Sequence, residues 1–399
     1  MEQNVYYTAL INNHDSKVND EDLTEEPKLT FNEDRQYPII QNCQDYQMSI
    51  INFKMDTKSL PVFIPIIKYD DSPAPSNDTI YNVYFSYEGY VFKQAVAYFE
   101  QDETKTEPPR INGGYANYST GFYNHYNYEN FINLLNRAVV NALFGLHNLI
   151  ATIGNATAQA NIRALENVND LLDCPFFVYD KGSQIIYLNA PKSTYDDDIL
   201  NNNHIKMHLN EPLYRLMDSL PYVKQNLSLT SSTGNVNLKL YTLNMNNFRS
   251  GTEVQMYSQQ MSGTFRTDVK TTHLIIGQDY ETLTSWSPVE SIVFTSSTIP
   301  VNSSIISANH SYEQGIETTE GSTNTIEMEL SEFRAGQPKA GVIYEPKVLR
   351  WLNMKDQAEL RLINLQVYYR FKYTGELIPI RINSGGSFSC KFCFRKIQV

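Results

Sequence analysis

Two histidines four residues apart have the spacing of a possible metal site. His204 and His208 enclose Ile205, Lys206 and Met207. In the zinc-protease motif a glutamate directly follows the first histidine of a helix, whereas Ile205 stands there in this chain. The alternation of Ile205 and Met207 instead predicts a strand, on which the two imidazoles share one face but lie about 13 Å apart. Because His–metal bonds are about 2 Å long, we expect no metal site at this pair.

Two cysteines near the C-terminus form a Cys-x-x-Cys pattern, which also occurs in redox and zinc sites. Cys390 and Cys393 lie on a predicted strand, where an offset of three residues points to opposite faces. A redox or zinc pair needs both sulfurs together, and the chain has no second Cys-x-x-Cys. We therefore predict that Cys390 is a core residue and that Cys393 faces solvent or an interface.

Other segments with possible chemistry also lack the residues that complete a site. Asn112-Gly113-Gly114 and Ser384-Gly385-Gly386-Ser387 have no lysine and no strand–turn–helix context for phosphate, so both are predicted to be turns. His125 stands in the polar–aromatic stretch 122–128. That stretch could line a sugar or peptide groove, or form an ordinary interface or loop cluster. We predict no catalytic residue, cofactor-binding residue or metal ligand, and hence no enzyme and no cofactor.

Composition narrows the class of protein further. The 399 residues include 44 acidic and 32 basic ones, a formal charge of −12, which argues against nucleic-acid binding. Twenty-eight tyrosines suit surfaces that become buried against another chain, although they also favour ordinary strands. No apolar run has membrane-spanning length, and the N-terminus lacks the features of a secretion signal. We expect synthesis in the cytosol and no transmembrane segment.

The elements that would position such residues are mostly strands. The patterns predict strands at residues 46–53, 60–67, 80–87, 90–99, 236–241, 254–257, 271–277, 289–294, 325–330 and 365–371. Pro61 and Pro65 make 60–67 an edge strand or a bulged one. Ser/Thr/Asn-rich loops are predicted at 295–309 and 314–324.

The middle of the chain changes to helical spacing. Asn127 is predicted to cap a helix whose apolar residues recur to Ile150. A second helix carries Ile162, Leu165, Val168 and Leu172 and ends before Pro175. A hairpin over 176–188 and a short helix over 211–220 follow.

The C-terminal strand has the clearest alternation. Phe388, Cys390, Phe392 and Phe394 fall on one face, and polar residues alternate with them. A period of two bounded by Gly-rich turns predicts a half-buried antiparallel strand. We therefore expect these residues to lie in the core of a sheet.

Together the patterns predict a mainly β fold, namely a jelly-roll or β-sandwich framework with an α-helical insertion. The predicted parts are an acidic flexible arm at 1–36, the first part of the β framework at 37–125, an insertion with helices and a hairpin at 126–230, and the second part of the framework at 231–399. The arm is predicted because 12–36 is acidic and has too little apolar surface to order alone. It could order against a neighbouring subunit.

Three segments of apolar strands and prolines, at 37–65, 286–300 and 349–396, carry a resemblance to a known family. They resemble the minor capsid, penton-type jelly-roll proteins of Polinton-like and related DNA viruses or virus-derived elements. The first is similar to an N-terminal strand pair of such proteins and the last to their closing strands. The resemblance implies a virion subunit that closes the fivefold vertices of an icosahedral shell. Its implied partners are itself, as a homopentamer, and the major capsid protein.

Two alternatives stay open from the sequence. One is a β-sandwich recognition or attachment module that binds a receptor or carbohydrate, and the other is an enzyme whose site has no sequence signature. Size in solution separates the first from a shell subunit, which should form rings or particles. An enzyme would require a cleft with clustered ionisable groups of perturbed pKa.

Overall fold

The computed structural model describes most of the chain. The described residues are 4–12, 28–56, 60–68, 77–98, 110–111, 115–116, 125–165, 174–191, 195, 204–231, 234–243, 254–259, 265–301, 309–313, 316–320, 341–372, 375, 377–380, 382 and 385–397.

Strands predominate among these residues. In chain order they are β1 (Asn4–Asn12), β2 (Thr30–Asp34), β3 (Tyr46–Asp56), β4 (Asp78–Tyr87), β5 (Tyr90–Ala97), β6 (Arg110–Ile111), β7 (Tyr115–Ala116), β8 (Phe176–Asp180), β9 (Ile185–Pro191), β10 (Lys206–Leu209), β11 (Tyr222–Ser231), β12 (Gly234–Leu243), β13 (Val254–Gln259), β14 (Phe265–Gly277), β15 (Val289–Thr295), β16 (Asn309–Glu313), β17 (Ile316–Glu320), β18 (Gly341–Tyr344), β19 (Leu352–Asn353), β20 (Leu362–Phe371), β21 (Leu377–Pro379) and β22 (Ser387–Lys396). The helices are α1 (Tyr128–Ile153), α2 (Ala156–Leu165), α3 (Glu211–Leu216) and α4 (Leu283–Trp286).

The chain divides into two compact units. Residues 1–62 and 287–399 form the first, and residues 63–286 form the second. We call them the discontinuous unit and the inserted unit. This division differs from the predicted ranges, because β4 and β5 belong with α1 rather than with the first part of the framework.

The discontinuous unit is a sandwich of two antiparallel sheets. One sheet has the strand order β1-β22-β3-β18, with β19 also paired to β3, and the other has β15-β20-β2, with β21 beside β20. Along the chain, β1, β2, β3, β15, β18, β20 and β22 alternate between the two sheets. This alternation, with the last strand seated between the first and third, is the topology of a jelly roll. The predicted jelly-roll framework is confirmed.

Aromatic side chains fill the space between these two sheets. The ring centroids of Phe53 on β3 and Phe294 on β15 lie 5.2 Å apart, and Phe388 on β22 packs against both. Phe388, Cys390, Phe392 and Phe394 are all buried, which confirms the predicted core face of the last strand.

The inserted unit contains a five-stranded sheet and a four-stranded sheet together with the helices. Their orders are β11-β12-β10-β4-β5 and β13-β14-β9-β8. The α1 helix begins as predicted, since the Asn127 side chain accepts a hydrogen bond from the Glu129 backbone N–H at 2.8 Å. Its apolar face packs against β4, β5 and β8. The predicted hairpin is confirmed as β8 and β9, and the short helix as α3. No helix in the described part of the chain is long and apolar enough to cross a membrane.

Several local predictions are wrong. Residues 60–67 form single β-bridges at Phe63 and Ile67 rather than a strand, because Pro61 and Pro65 have no N–H for a ladder. Of the segment 12–36, predicted to be a flexible arm, residues 30–34 form β2, which pairs with β20, and residues 13–27 lie outside the described part of the chain. The predicted loop at 314–324 contains β17, which pairs with β16. The strand predicted at 325–330 lies outside the described residues.

Candidate functional site

His208 lies inside the five-stranded sheet and bonds to side chains on both neighbouring strands. Its Nε2 lies 2.7 Å from Ser86 Oγ on β4, and its Nδ1 lies 2.8 Å from Thr242 Oγ1 on β12. A neutral imidazole donates through one nitrogen and accepts through the other, so both hydroxyl partners can be satisfied. Burial, and then the charge of Lys206, lowers the pKa of His208 to about 3. The serine–histidine order resembles a hydrolase relay, but all three side chains are buried, which fits a structural role.

His204 does not join His208. The strand begins at Lys206, so the prediction that both histidines share one strand face is wrong. His204 lies in a bend before β10, and its Nδ1 is buried without a hydrogen-bond partner among the described residues. Within those residues, no group of three or more His, Cys, Asp or Glu side chains is placed to hold a metal ion. The absence of a bound metal stays a prediction.

His125 belongs to a buried aromatic cluster. Its ring stacks on Phe63 with centroids 6.1 Å apart and meets Tyr98 edge-on at 5.1 Å, while Phe131 packs on Phe63 at 4.4 Å. Reciprocal backbone hydrogen bonds also join His125 to Phe63. Burial lowers the pKa of His125 to about 4, and its Nε2 has no partner in the described structure. Of the two readings left open by the sequence, the placement of His125 favours the cluster, and residues 122–124 lie outside the described part of the chain.

The two C-terminal cysteines are both inert thiols. Cys393 is only 3% exposed, so the prediction that it faces solvent or an interface is wrong. It lies opposite Tyr6 on β1 and Ser49 on β3, and these neighbouring strands leave it little access to water. Burial raises the pKa of both Cys390 and Cys393, which keeps them protonated at neutral pH.

The structure describes part of one of the two glycine segments, at the turn before β22. Gly385 has a φ of +73°, a left-handed conformation that suits the predicted turn before β22. Residues 112–114 lie outside the described part of the chain.

Among the strands that the structure describes, both end strands of the first jelly-roll sheet carry exposed apolar side chains. On β1, at one end, Tyr6 and Leu10 are 56% and 62% exposed. On β18, at the other end, Ile343 is 63% exposed. End strands present backbone donors and acceptors on which another chain can pair. We call these two strands the sheet edges; they form the candidate assembly site, which sequence periodicity alone did not locate.

A polar link fixes the β1 edge to the opposite sheet. The Tyr7 hydroxyl donates to the Glu33 carboxylate on β2. The Nε atom of Arg35 lies 4.0 Å from Oε1 of the same carboxylate. Burial, and then the bond to Glu33, raises the pKa of Tyr7. On the outward face, the Lys391 ammonium lies 5.2 Å from the Tyr6 ring centroid. The edge is therefore held in place before any partner binds.

The chain is similar to three known virophage proteins. A curated relative, the uncharacterized protein V18 of Sputnik virophage, is 30% identical over 145 residues, which cover 35% of this chain and 81% of the relative. A chain in the cryo-EM structure of the Sputnik virophage matches with a TM-score of 0.66 at 22% identity, over 98% of each chain. The crystal structure of the mavirus penton protein matches with a TM-score of 0.53 at 12% identity, over 99% of this chain and 100% of the penton chain.

The family model extends over both units. The model of the Sputnik minor capsid protein V18/19 matches residues 5–396. That range contains every strand of the jelly roll except for the first residue of β1. The chain therefore belongs to the Sputnik minor capsid protein V18/19 family and is a structural capsid protein.

Proposed function

We propose that this capsid protein is a penton-type subunit that closes the shell vertices as a homopentamer and also contacts the major capsid protein. The observation that carries the proposal is the pair of exposed sheet edges, β1 and β18, at opposite ends of one jelly-roll sheet. The match to a penton protein over nearly the whole of both chains supports it.

Ring closure requires two different patches on every subunit. In a cyclic oligomer above a dimer, one patch of each copy meets a different patch of the next copy. Tyr6 and Leu10 on β1, and Ile343 on β18, supply apolar groups at separate ends of one sheet. This arrangement suits a head-to-tail contact better than a self-complementary dimer contact.

We also propose that the protein acts without catalysis. The histidines with lowered pKa, His125 and His208, are buried in packed side chains rather than in a cleft. The cysteines Cys390 and Cys393 are buried and protonated. These groups act as parts of the core.

The proposal is tested by the mass of the purified chain, measured by native mass spectrometry and light scattering. We expect a pentamer, and we expect Leu10→Lys to shift it towards monomer with an unchanged melting temperature, because Leu10 is exposed in the subunit. Val178→Lys is the matched control, since Val178 is an exposed apolar residue on β8 of the inserted unit. A strict monomer at high concentration, with and without the other shell proteins, would contradict the proposal and favour a recognition module.

A further inference from the structure

Four tyrosines of the inserted unit gather where α3, β11, β12 and the segment after β14 meet. The rings of Tyr214 and Tyr241 stack with centroids 4.3 Å apart at an angle of 9°, and Tyr222 lies 4.4 Å from Tyr214 and 5.2 Å from Tyr241. Tyr280 joins them through its hydroxyl and is 56% exposed, and Tyr222 is 40% exposed. We call Tyr214, Tyr222, Tyr241 and Tyr280 the tyrosine platform. The assembly proposal does not use it.

One phenol of the platform bonds to a carboxylate. The Tyr280 hydroxyl donates to Asp218 Oδ2 at 3.2 Å. Burial, followed by Asp218 and the phenols of Tyr222, Tyr280 and Tyr241, raises the pKa of Tyr214. The Tyr214 hydroxyl itself donates to the Leu220 carbonyl at 3.1 Å. The platform therefore combines two exposed rings, those of Tyr222 and Tyr280, with a hydrogen-bonded phenol–carboxylate pair.

Hydrogen bonds hold the backbone around Asp218 in a fixed shape. Ser219 has a φ of +76°, which is unfavourable for a residue other than glycine. Its Oγ donates to the Tyr280 carbonyl and accepts from the Asp279 N–H, both at 3.1 Å. Gln278 donates to the Asp218 carbonyl at 2.9 Å. These bonds tie the two loops together, so that binding a ligand would require little further ordering.

We propose that the tyrosine platform binds a neutral saccharide. A sugar ring offers an apolar C–H face that can pack on an exposed tyrosine, and hydroxyls that can bond to a carboxylate and phenols. The Lys224 ammonium lies 5.3 Å from the Tyr241 ring centroid, but the exposed Tyr280 hydroxyl is bonded to the Asp218 carboxylate, which disfavours sialylated or sulfated sugars at that ring. A protein partner fits less well, because a stable protein interface buries about 800 Å² per partner and involves ~20–30 residues on each side.

The test is binding of trisaccharides to the full-length protein, followed by saturation-transfer NMR and isothermal titration calorimetry. The neutral probes are maltotriose, mannotriose and the N-acetylglucosamine trimer, and the anionic probes are sialyllactose and a heparin trisaccharide. We expect at least one neutral probe to bind and both anionic probes to fail. Binding of none of the neutral probes, or tighter binding of an anionic one, would overturn the proposal.

Variants separate the platform from other exposed tyrosines. Tyr280→Ala and Asp218→Asn should each weaken the neutral probe about tenfold, which corresponds to ~1.4 kcal/mol. Tyr37→Ala is the matched control, because Tyr37 is an exposed tyrosine of the discontinuous unit and its loss should leave binding unchanged.

Unchanged binding by both platform variants would overturn the proposal. Loss of self-association instead of saccharide binding in Tyr280→Ala would assign the platform to a second copy of the chain, and would likewise overturn it. Melting curves of each variant verify that the fold is retained.

Discussion

The two histidines with strongly lowered pKa make the inserted unit sensitive to acid. A buried imidazole that stays neutral in the folded state has a lower pKa there than in the unfolded chain, where it titrates near 6.5. The neutral histidines therefore make their full contribution to the free energy of unfolding above pH 6.5. That contribution is lost as the pH falls towards the folded pKa, which is about 4 for His125 and about 3 for His208. His208 keeps two hydrogen bonds in its neutral form, whereas His125 Nε2 has none within the described structure.

His125→Phe should remove part of this acid sensitivity. Phenylalanine keeps the ring packing on Phe63 and Tyr98 but has no group to protonate. The pKa of His125 falls from 6.5 in the unfolded chain to about 4 in the folded one. This difference corresponds to a loss of about 3 kcal/mol in the free energy of unfolding once the pH has fallen to about 4. We expect the variant to match the wild type at pH 7.5 and to exceed its melting temperature at pH 4.5, as measured by calorimetry.

His208→Leu provides the contrast for that measurement. It leaves the hydroxyls of Ser86 and Thr242 buried without their partner, which should cost about 1–3 kcal/mol already at pH 7.5. A His125→Phe variant whose melting temperature falls with pH as steeply as that of the wild type would contradict the role of His125.

At the scale of elements, α1 packs so closely on β5 that one position requires glycine. A Cβ at Gly145 would overlap the ring of Phe92. Glycine is unfavourable inside a helix, so its presence in the middle of α1 reflects this contact rather than helix propensity. The close approach also fixes how the helix lies on the sheet.

Gly145→Ala should therefore destabilise the protein, although propensity alone predicts a gain of about 1 kcal/mol. Displacing the Phe92 ring should cost ~1–3 kcal/mol, which outweighs that gain. Urea unfolding measures the net change in the free energy of unfolding. Asn141→Ala is the control, because Asn141 is an exposed residue of the same helix and alanine there should be neutral or slightly stabilising. A more stable Gly145→Ala variant would show that the helix does not depend on this contact.

The sequence correctly predicted those strands and helices in which the spacing of the apolar residues alone determines which side chains are buried. The alternation of β22 and the capped, apolar face of α1 are complete in the sequence, and both were found. The strand β2 was missed because Glu33 and Asp34 make its segment acidic, and it is held by pairing with β20, more than 300 residues away. Burial of Cys393 likewise depends on β1 and β3 rather than on its own strand.

The candidate sites were harder to predict, because they are assembled from distant segments. The sheet edges emerge only when β22 takes its place between β1 and β3 and leaves β1 and β18 at the ends. The tyrosine platform joins residues from α3, β11, β12 and the segment after β14. Abundant tyrosine suggested contact surfaces, but composition does not state which tyrosines meet.

At the scale of the whole molecule, the jelly roll is interrupted by a unit with its own sheets. The inserted unit leaves the jelly roll after β3 and the chain returns just before β15, which are consecutive strands of the roll. Every strand of the two jelly-roll sheets comes from residues 1–62 or 287–399. The core around Phe53, Phe294 and Phe388 is likewise complete within those residues. An experiment can therefore test whether the jelly roll folds without the inserted unit.

Replacing residues 63–286 by a Gly/Ser linker should leave a folded jelly roll. We expect the shortened chain, tested with a series of linker lengths, to give the circular dichroism of a β protein and one cooperative thermal transition, because its core pairs are all retained. Phe53→Ala in the shortened chain is the control for a specific core and should lower its stability by about 3–5 kcal/mol.

Since the sheet edges also lie outside the inserted unit, light scattering should show the same oligomer as for the full chain. A shortened chain that folds but stays monomeric would place the assembly contacts in the inserted unit, and one without a cooperative transition at any linker length would show that the jelly roll depends on that unit.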